Sequence, residues 1–307
     1  MKQTLFYQLC IIALAICLTN CTGKEASIPK PQIDHVVLIG FDGWGAYSIP
    51  KANMPNAKDM IEKGASTFSV RSVLPSSSAV NWASMMMGAG PELHGFTTWG
   101  SQKPDFPSRV LTEEYGMFPS IFGLLRQQRS EAKIGYFYEW EGMKYLMEEK
   151  AADVAIHAPA DSLNLDNCIE AAEKFIRGEK PTFTMIAFDQ PDGVGHGAGH
   201  DTAEYYTELE RLDKYIARIV QATKDAGIYD NTLFILTADH GGIEKGHGGK
   251  TMQEMEIPMI FFGKGVKEGY KIEESVMIFD MASTLAYAFN LQQPQVWIGR
   301  PIISIFK

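Results

Sequence analysis

The stretch TLFILTADHGG, Thr232 to Gly242, sets an uninterrupted apolar run against an abrupt Asp-His-Gly-Gly. A run this uniformly apolar suits a strand buried on both faces, as in a parallel sheet covered by helices. Polar chemistry placed straight after it falls at the carboxyl end of the strand, where open α/β sheets bind ligands. A second histidine follows in Gly246-His247-Gly248-Gly249, so Asp239, His240 and His247 offer three metal-ligand side chains close together in sequence. The plainer alternative is a glycine-rich surface turn with incidental histidines. A nucleotide-phosphate loop does not fit, because neither the GxGxxG nor the GxxxxGK[ST] spacing occurs here.

Outward from this stretch the same texture repeats. Apolar runs predict strands at His35–Phe41, Ser69–Leu74, Lys133–Tyr138, Asp153–His157, Thr182–Phe188 and Ile257–Phe262, besides Thr232–Thr237. Segments of helical period predict helices at Met54–Lys63, Ala79–Met87, Ser120–Gln128, Leu163–Arg177, Ala203–Ala226 and Met281–Phe289. In the longest, Tyr205, Leu209, Leu212, Ile216 and Ile219 recur at the spacing of a core-facing stripe. Alternation of this kind predicts an α/β domain with a mostly parallel central sheet and helices on both faces. Residues 97–117 form the one long irregular stretch, expected to lie as a loop over the sheet.

Three further polar clusters leave predicted strands. Phe41-Asp42-Gly43 puts a carboxylate at a strand end, where a turn or a helix cap is the ordinary use and a metal ligand the alternative. Pro75-Ser76-Ser77-Ser78 opens a helix; one serine is expected as a cap, or as an oxygen held among free backbone N–H groups that favour a phosphate. Asp189-Gln190-Pro191-Asp192-Gly193-Val194-Gly195-His196 places carboxylate and imidazole four residues apart, in a glycine-rich loop able to fold round an ion. His200 reads as an ordinary loop histidine, with a substrate contact as its alternative. Asp42, Asp192, Asp239, His196, His240, His247 and one serine oxygen then make a donor set without thiolates. Such a set suits zinc, with manganese or iron as poorer choices, and is too large for one tetrahedral ion but right for two with open positions.

FDG, PSSSAVNW, QPDGVGH, ADHGG and GHGG stand in the order shown by the type I phosphodiesterase/nucleotide pyrophosphatase family of the alkaline phosphatase superfamily, which this chain resembles from about Asp34 to Pro301. Weaker segments, GPELHG at Gly90–Gly95 and IPMIFFGKGV at Ile257–Val266, belong to the same resemblance. The likeness implies an alkaline-phosphatase-like three-layer sandwich, with residues 34–307 as one catalytic domain. It implies that Asp42, Asp239 and His240 hold one zinc together with the nucleophile oxygen, and that Asp192, His196 and His247 hold a second. It selects Ser78 as nucleophile, three residues before Asn81, and gives Asn81 a hydrogen bond to a phosphoryl oxygen. The implied reaction is hydrolysis of phosphodiesters or nucleotide pyrophosphates through a phosphoseryl or nucleotidyl-serine intermediate. Two positions depart from the family: Ala79-Val80-Asn81-Trp82 stands where Phe-Pro-Asn-His is frequent, and Gln190 where Glu is common. The first is expected to change the floor beside the leaving group. A sulfatase pattern begun at Ser78 would need proline and arginine where Val80 and Trp82 stand.

Composition agrees with an enzyme acting on a small substrate. The 307 residues are 45% hydrophobic and 21% charged, which excludes a disordered or multi-span membrane chain. A net charge of -9 argues against a nucleic-acid scaffold. Only Arg71 lies near the serine motif, and a monoester dianion wants more positive charge, so diesters are preferred and a phosphomonoesterase is the alternative. A reading of another class is a non-catalytic envelope lipoprotein that binds without turnover. Residues 1–21 read as an export signal, with Lys2 before an apolar run from Leu5 to Leu18, too short for the ~20 apolar residues of a membrane span. Leu18-Thr19-Asn20-Cys21 resembles a lipobox, implying a lipidated Cys21 and membrane attachment in a bacterial periplasm or on the outer membrane, with residues 22–33 as a linker. Cys168 is expected as a small buried side chain on a helix.

Overall fold

The apolar runs become the inner strands of one sheet. The computed structural model describes residues 31–108, 110–160 and 164–307; the signal, Cys21, most of the linker and Leu163 lie outside the described residues. The strands are β1 His35–Phe41, β2 Ala65–Arg71, β3 Ile134–Tyr138, β4 Val154–His157, β5 Phe183–Phe188, β6 Thr232–Thr237, β7 Glu256–Gly263 and β8 Tyr270–Lys271. Their order across the sheet is β4-β3-β5-β1-β6-β7-β2-β8, parallel throughout except that β7 runs against β6 and β2. Every residue of β5 and β6 is buried, as continuous apolar strands covered on both faces must be.

The helices are α1 Pro55–Lys63, α2 Ser78–Met87, α3 Pro91–His94, α4 Ile121–Gln128, α5 Asn167–Glu179, α6 Asp192–Ala198, α7 Ala203–Asp225, α8 Met252–Met255 and α9 Asp280–Ala288. Helices α1, α5 and α7 pack among themselves, as do α2, α4 and α9, giving a three-layer α/β sandwich. The α7 stripe expected from the sequence is fully buried at Tyr205, Leu209, Leu212, Ile216 and Ile219, and Cys168 is buried on α5. Among the described residues no helix is long and apolar enough to cross a membrane.

Three differences from the expected elements have physical causes. The strand expected at Ser69–Leu74 runs instead from Ala65 to Arg71, because its register breaks between Thr67 and Val70 and its middle faces solvent. Polar Ser66, Thr67 and Ser69 therefore hide it from an apolar-run reading. Strand β8, two residues long, carries no periodic signal at all. Residues Asp192–Ala198, expected as a loop, form α6, whose glycine content disguises a helix held by its neighbours rather than by propensity.

Register sets what this scaffold presents. Phe41 lies opposite Phe188 and Gly40 opposite Thr237, while Tyr138 lies opposite Ala187. The carboxyl ends of β3, β5, β1 and β6 thus finish level, and whatever follows them arrives at one crevice.

Candidate metal centre and active site

Asp42 follows β1, Asp239 follows β6 and α6 begins just beyond β5, so the aligned strand ends bring three carboxylates together. Gly43 makes this approach feasible. Its φ is +71°, and a Cβ there would lie 2.7 Å from Asp192 Oδ1 and 3.0 Å from the Asp192 Cα. The Gly43 N–H donates to Asp239 Oδ1 (3.1 Å) and its carbonyl accepts from the buried Tyr205 hydroxyl (2.7 Å). The four-residue spacing of Asp192 and His196 is a helical i,i+4 pair on α6, with His196 Nε2 3.0 Å from Asp192 Oδ2.

All three expected histidine ligands show one habit. His240 Nδ1 lies 2.8 Å from the Gly241 carbonyl, His196 Nδ1 2.9 Å from that of Lys245, and His247 Nδ1 3.1 Å from that of Ser76. The hydrogen-bond network therefore assigns a proton to Nδ1 in each ring and turns Nε2 toward the carboxylates, the orientation of metal-binding imidazoles. His240 Nε2 faces Asp239 Oδ2 (3.2 Å), Asp42 Oδ1 (3.4 Å) and Ser78 Oγ (3.2 Å). Burial, helped by His247, pushes the His240 pKa down to about 3, so this nitrogen does not carry a proton toward the carboxylates. Asp42 Oδ1 and Asp239 Oδ2 are buried and have no hydrogen-bond donor. Burial first, and then repulsion from neighbouring carboxylates (Asp239 and Asp192 for Asp42, Asp192 for Asp239), raises both carboxyl pKa values well above the ordinary range. Two carboxylate oxygens without a hydrogen-bond donor, converging with an imidazole nitrogen and a hydroxyl oxygen, make a donor set that fits a divalent cation.

A second group adjoins the first. Ligand atoms of Asp192, His240 and His247 lie within 4.8 Å of one another, as do those of Asp42, Asp239 and His240. The His240 and His247 rings stack with centroids 3.9 Å apart, and His247 Nε2 is 3.7 Å from Asp192 Oδ2. Burial works against the Asp192 carboxylate, but hydrogen bonds from His196 and His200 bring its pKa below the ordinary carboxylate value. The Asp192 hydrogen bond pushes His196 up to about 9, the proton standing where a cation would compete for the same nitrogen.

Ser78 is the first residue of α2, its hydroxyl at the free N–H end of the helix. Asn81 departs from its expected place. It is fully buried, with Oδ1 accepting from the Val73 N–H (2.7 Å) and Nδ2 donating to the carbonyls of Pro75 and Ser77 (3.1 Å each). Its amide closes the β2–α2 connection on itself and does not line the cavity, so it shapes the serine loop. Trp82 also differs from expectation: its indole N–H donates to Asp42 Oδ2 (3.1 Å), which turns Oδ1 toward His240. With Ala79 and Val80 it is buried and leaves the cavity floor untouched.

His200, read from sequence as an ordinary loop residue, is buried beneath this centre with Nε2 3.2 Å from Asp192 Oδ1. A Cβ on Gly195 or Gly242 would fall 2.4 Å or 2.2 Å from its ring, so two glycines make the slot it fills. Those glycines were the available signal, but nothing in their spacing names the ring they receive.

The family model for type I phosphodiesterase/nucleotide pyrophosphatase matches residues 36–247, which include every expected ligand, Ser78 and His200. The chain belongs to this family. A Xenopus laevis bis(5'-adenosyl)-triphosphatase is 24% identical over 260 residues, 77% of this chain and 53% of that protein; the Bos taurus protein is 23% identical over 239 residues. The chain spans about half the length of the curated relatives it matches. A Coxiella burnetii 2,3-bisphosphoglycerate-independent phosphoglycerate mutase is 25% identical over 239 residues, 70% of this chain and 44% of that one. Among solved structures, murine ectonucleotide pyrophosphatase/phosphodiesterase 5, an inactive variant in complex with AMP, superposes with a TM-score of 0.69 at 14% identity, covering 85% of this chain and 96% of that one. A 2-O GAG sulfatase gives 0.71 at 14% identity over 90% and 74%. These place the fold of this phosphodiesterase-family chain with the alkaline-phosphatase-like sandwiches.

Proposed function

We propose that the protein hydrolyses phosphodiesters, nucleotide pyrophosphates among them, with Ser78 as nucleophile and two zinc ions as cofactors. The observation that carries this reading is the convergence of His240 Nε2, Ser78 Oγ and the partnerless Asp42 Oδ1 and Asp239 Oδ2. Asp42, Asp239, His240 and Ser78 would hold one ion, and Asp192, His196 and His247 the other. Cations bound there supply Lewis acidity toward the serine and phosphoryl oxygens, and manganese or iron would offer similar chemistry. Ser78 Oγ loses its proton and forms a bond to phosphorus, while the bond to the alcohol oxygen breaks and that oxygen takes up a proton. Water then cleaves the seryl ester and restores the hydroxyl. His200 and Trp82 orient Asp192 and Asp42 throughout, and Asn81 keeps the serine loop in place. The named activity of the vertebrate relatives supports a nucleotide substrate class. Outside the catalytic unit, residues 1–21 act as an export signal and Cys21 carries lipid, placing the enzyme in a bacterial periplasm or on the outer membrane.

Bis-p-nitrophenyl phosphate, p-nitrophenyl phosphate and p-nitrophenyl thymidine 5'-phosphate, supplied to zinc-loaded protein, test the reaction. Diester turnover should exceed monoester turnover, and Ser78→Ala should lower kcat by ~10³-fold or more. A variant with full activity would overturn the serine assignment, and monoester preference would favour the phosphomonoesterase.

A further inference from the structure

The two proposed ions would be held by different kinds of structure. Asp42, Asp239 and His240 stand just beyond the ends of β1 and β6, buried and fixed by the sheet itself. His196 and His247 lie nearer the surface: the His196 side chain is half-exposed, and residues 243–245 are exposed as well. One loop, residues 243–249, organises this second group. Ile243 and Gly246 exchange backbone hydrogen bonds (2.9 and 3.0 Å), which closes a tight turn. Between them the Glu244 carbonyl accepts from the His200 N–H (2.6 Å), and the Lys245 carbonyl faces His196 Nδ1 (2.9 Å). The same loop then supplies His247. Both histidines of the second group, and Asp192 through His200, therefore take their orientation from it.

An exposed loop with these tasks needs an anchor, and Ser76 provides one. Ser76 is fully buried, two residues before the proposed nucleophile. Its hydroxyl donates to the Gly249 carbonyl (2.7 Å) and accepts from the Gly248 N–H (3.2 Å), while its own carbonyl accepts from His247 Nδ1 (3.1 Å). Three consecutive loop residues are thus tied to one serine. The segment around Ser76 is itself held, because the Asn81 amide donates to the carbonyls of Pro75 and Ser77 on either side of it. From the other end Glu254, buried on α8, accepts from the N–H groups of Gly249 (2.7 Å) and Thr251 (3.1 Å). Gly249 permits that approach, since a Cβ there would lie 2.7 Å from either Glu254 carboxylate oxygen. The group that holds a histidine's other ring nitrogen sets how well the histidine binds metal. For His240 that group is the carbonyl of the next residue, Gly241, whereas for His247 it is Ser76, 171 positions away.

We infer that Ser76 is a positioning residue that latches loop 243–249 and sets the affinity of the ion held by Asp192, His196 and His247, but not that of the other ion. This role rests on the two-ion reading above and gives a cause for unequal, stepwise loading. It also ties that loading to the serine loop, since the residue that orients His247 stands two positions from Ser78. Removing the hydroxyl frees the Gly248 N–H and the Gly249 carbonyl in a loop that water reaches. Water replaces the lost partner there, so the variant should fold.

The test is competition for zinc between the protein and a chromophoric chelator. The wild type should release two ions in separate steps, and His196→Ala, which removes a proposed ligand, marks the weaker step as that of the second ion. Ser76→Ala should weaken that same step by about tenfold or more and leave the tighter one unchanged. Glu254→Gln keeps the side-chain volume, disturbs the loop from its other end and should weaken the same step. Amide hydrogen exchange of the metal-free proteins gives a readout independent of metal and of turnover. Gly248 and Gly249 should exchange faster in Ser76→Ala than in the wild type, and equal rates would overturn the latch. Two zinc steps that Ser76→Ala leaves unchanged, or weakens together, would also overturn it while the two-ion reading stands. A wild type with a single zinc step, untouched by His196→Ala, would overturn the two-ion reading and the role of Ser76 with it.

Discussion

Asp192 shows how much one carboxylate can be made to do by its surroundings. His200 holds one oxygen from below while His196 and His247 face the other, so the buried ring fixes which oxygen is presented. His200→Ala is expected to weaken zinc binding by about 10–100-fold, read by competition with a chromophoric chelator. Unchanged affinity would mean that Asp192 needs no brace. Glu139 poses the opposite problem, a buried acid with one oxygen unpartnered, pushed up to about 7 by burial. An acid whose pKa is raised in the folded state holds its proton more tightly there than when unfolded. Stability is therefore lost as pH climbs from about 4.5 to about 7, by roughly 3 kcal/mol in all. Urea unfolding of the metal-free protein should show Glu139→Gln gaining on the wild type across that interval, and a constant difference would remove Glu139 as the cause. The seven expected ligands were legible as residue types in order. Asn81 was misread, because a motif position does not say which way an amide turns.

At the scale of elements the instructive one is α6. Four glycines or alanines in DGVGHGA make it look like a loop, yet it places Asp192 and His196 on one face. Its glycines are not equivalent. A Cβ on Gly197 meets nothing within 4 Å, whereas one on Gly195 would strike the His200 ring at 2.4 Å. Gly197→Ala should therefore stabilise the fold by about 0.5–1 kcal/mol, through helix propensity and a less disordered unfolded chain. Gly195→Ala should destabilise it and weaken metal binding. Denaturant midpoints for the two variants moving in the same direction would contradict this account. Strand β2 carries the complementary lesson: its bulge and exposed middle remove the alternation on which a strand is recognised.

For the whole molecule, the acidic balance acquires a location. Asp42, Asp192 and Asp239 lie buried within one crevice, and burial with carboxylate repulsion makes charging Asp42 and Asp239 oppose folding unless a cation is present. Metal binding should thus appear as stability. With free zinc at about 100 times its dissociation constant, unfolding should require roughly 2.7 kcal/mol more than in chelator. Thermal unfolding with EDTA and with restored zinc measures this, and coincident transitions would show that the cluster binds no cation.

The sequence by itself determined the α/β class, the strand cores and which Asp, His and Gly residues stand after the strands, because continuous apolar runs and the residues that end them are local properties. Tertiary structure alone decided which groups meet. The level register of β1, β3, β5 and β6 brings residues more than a hundred positions apart to one crevice. Glycine slots choose His200 over other histidines, and the turn held by Thr97, Ser101 and Asp105 carries Trp99 to Trp140. Such contacts arise from packing across the sheet, which no periodicity along the chain encodes.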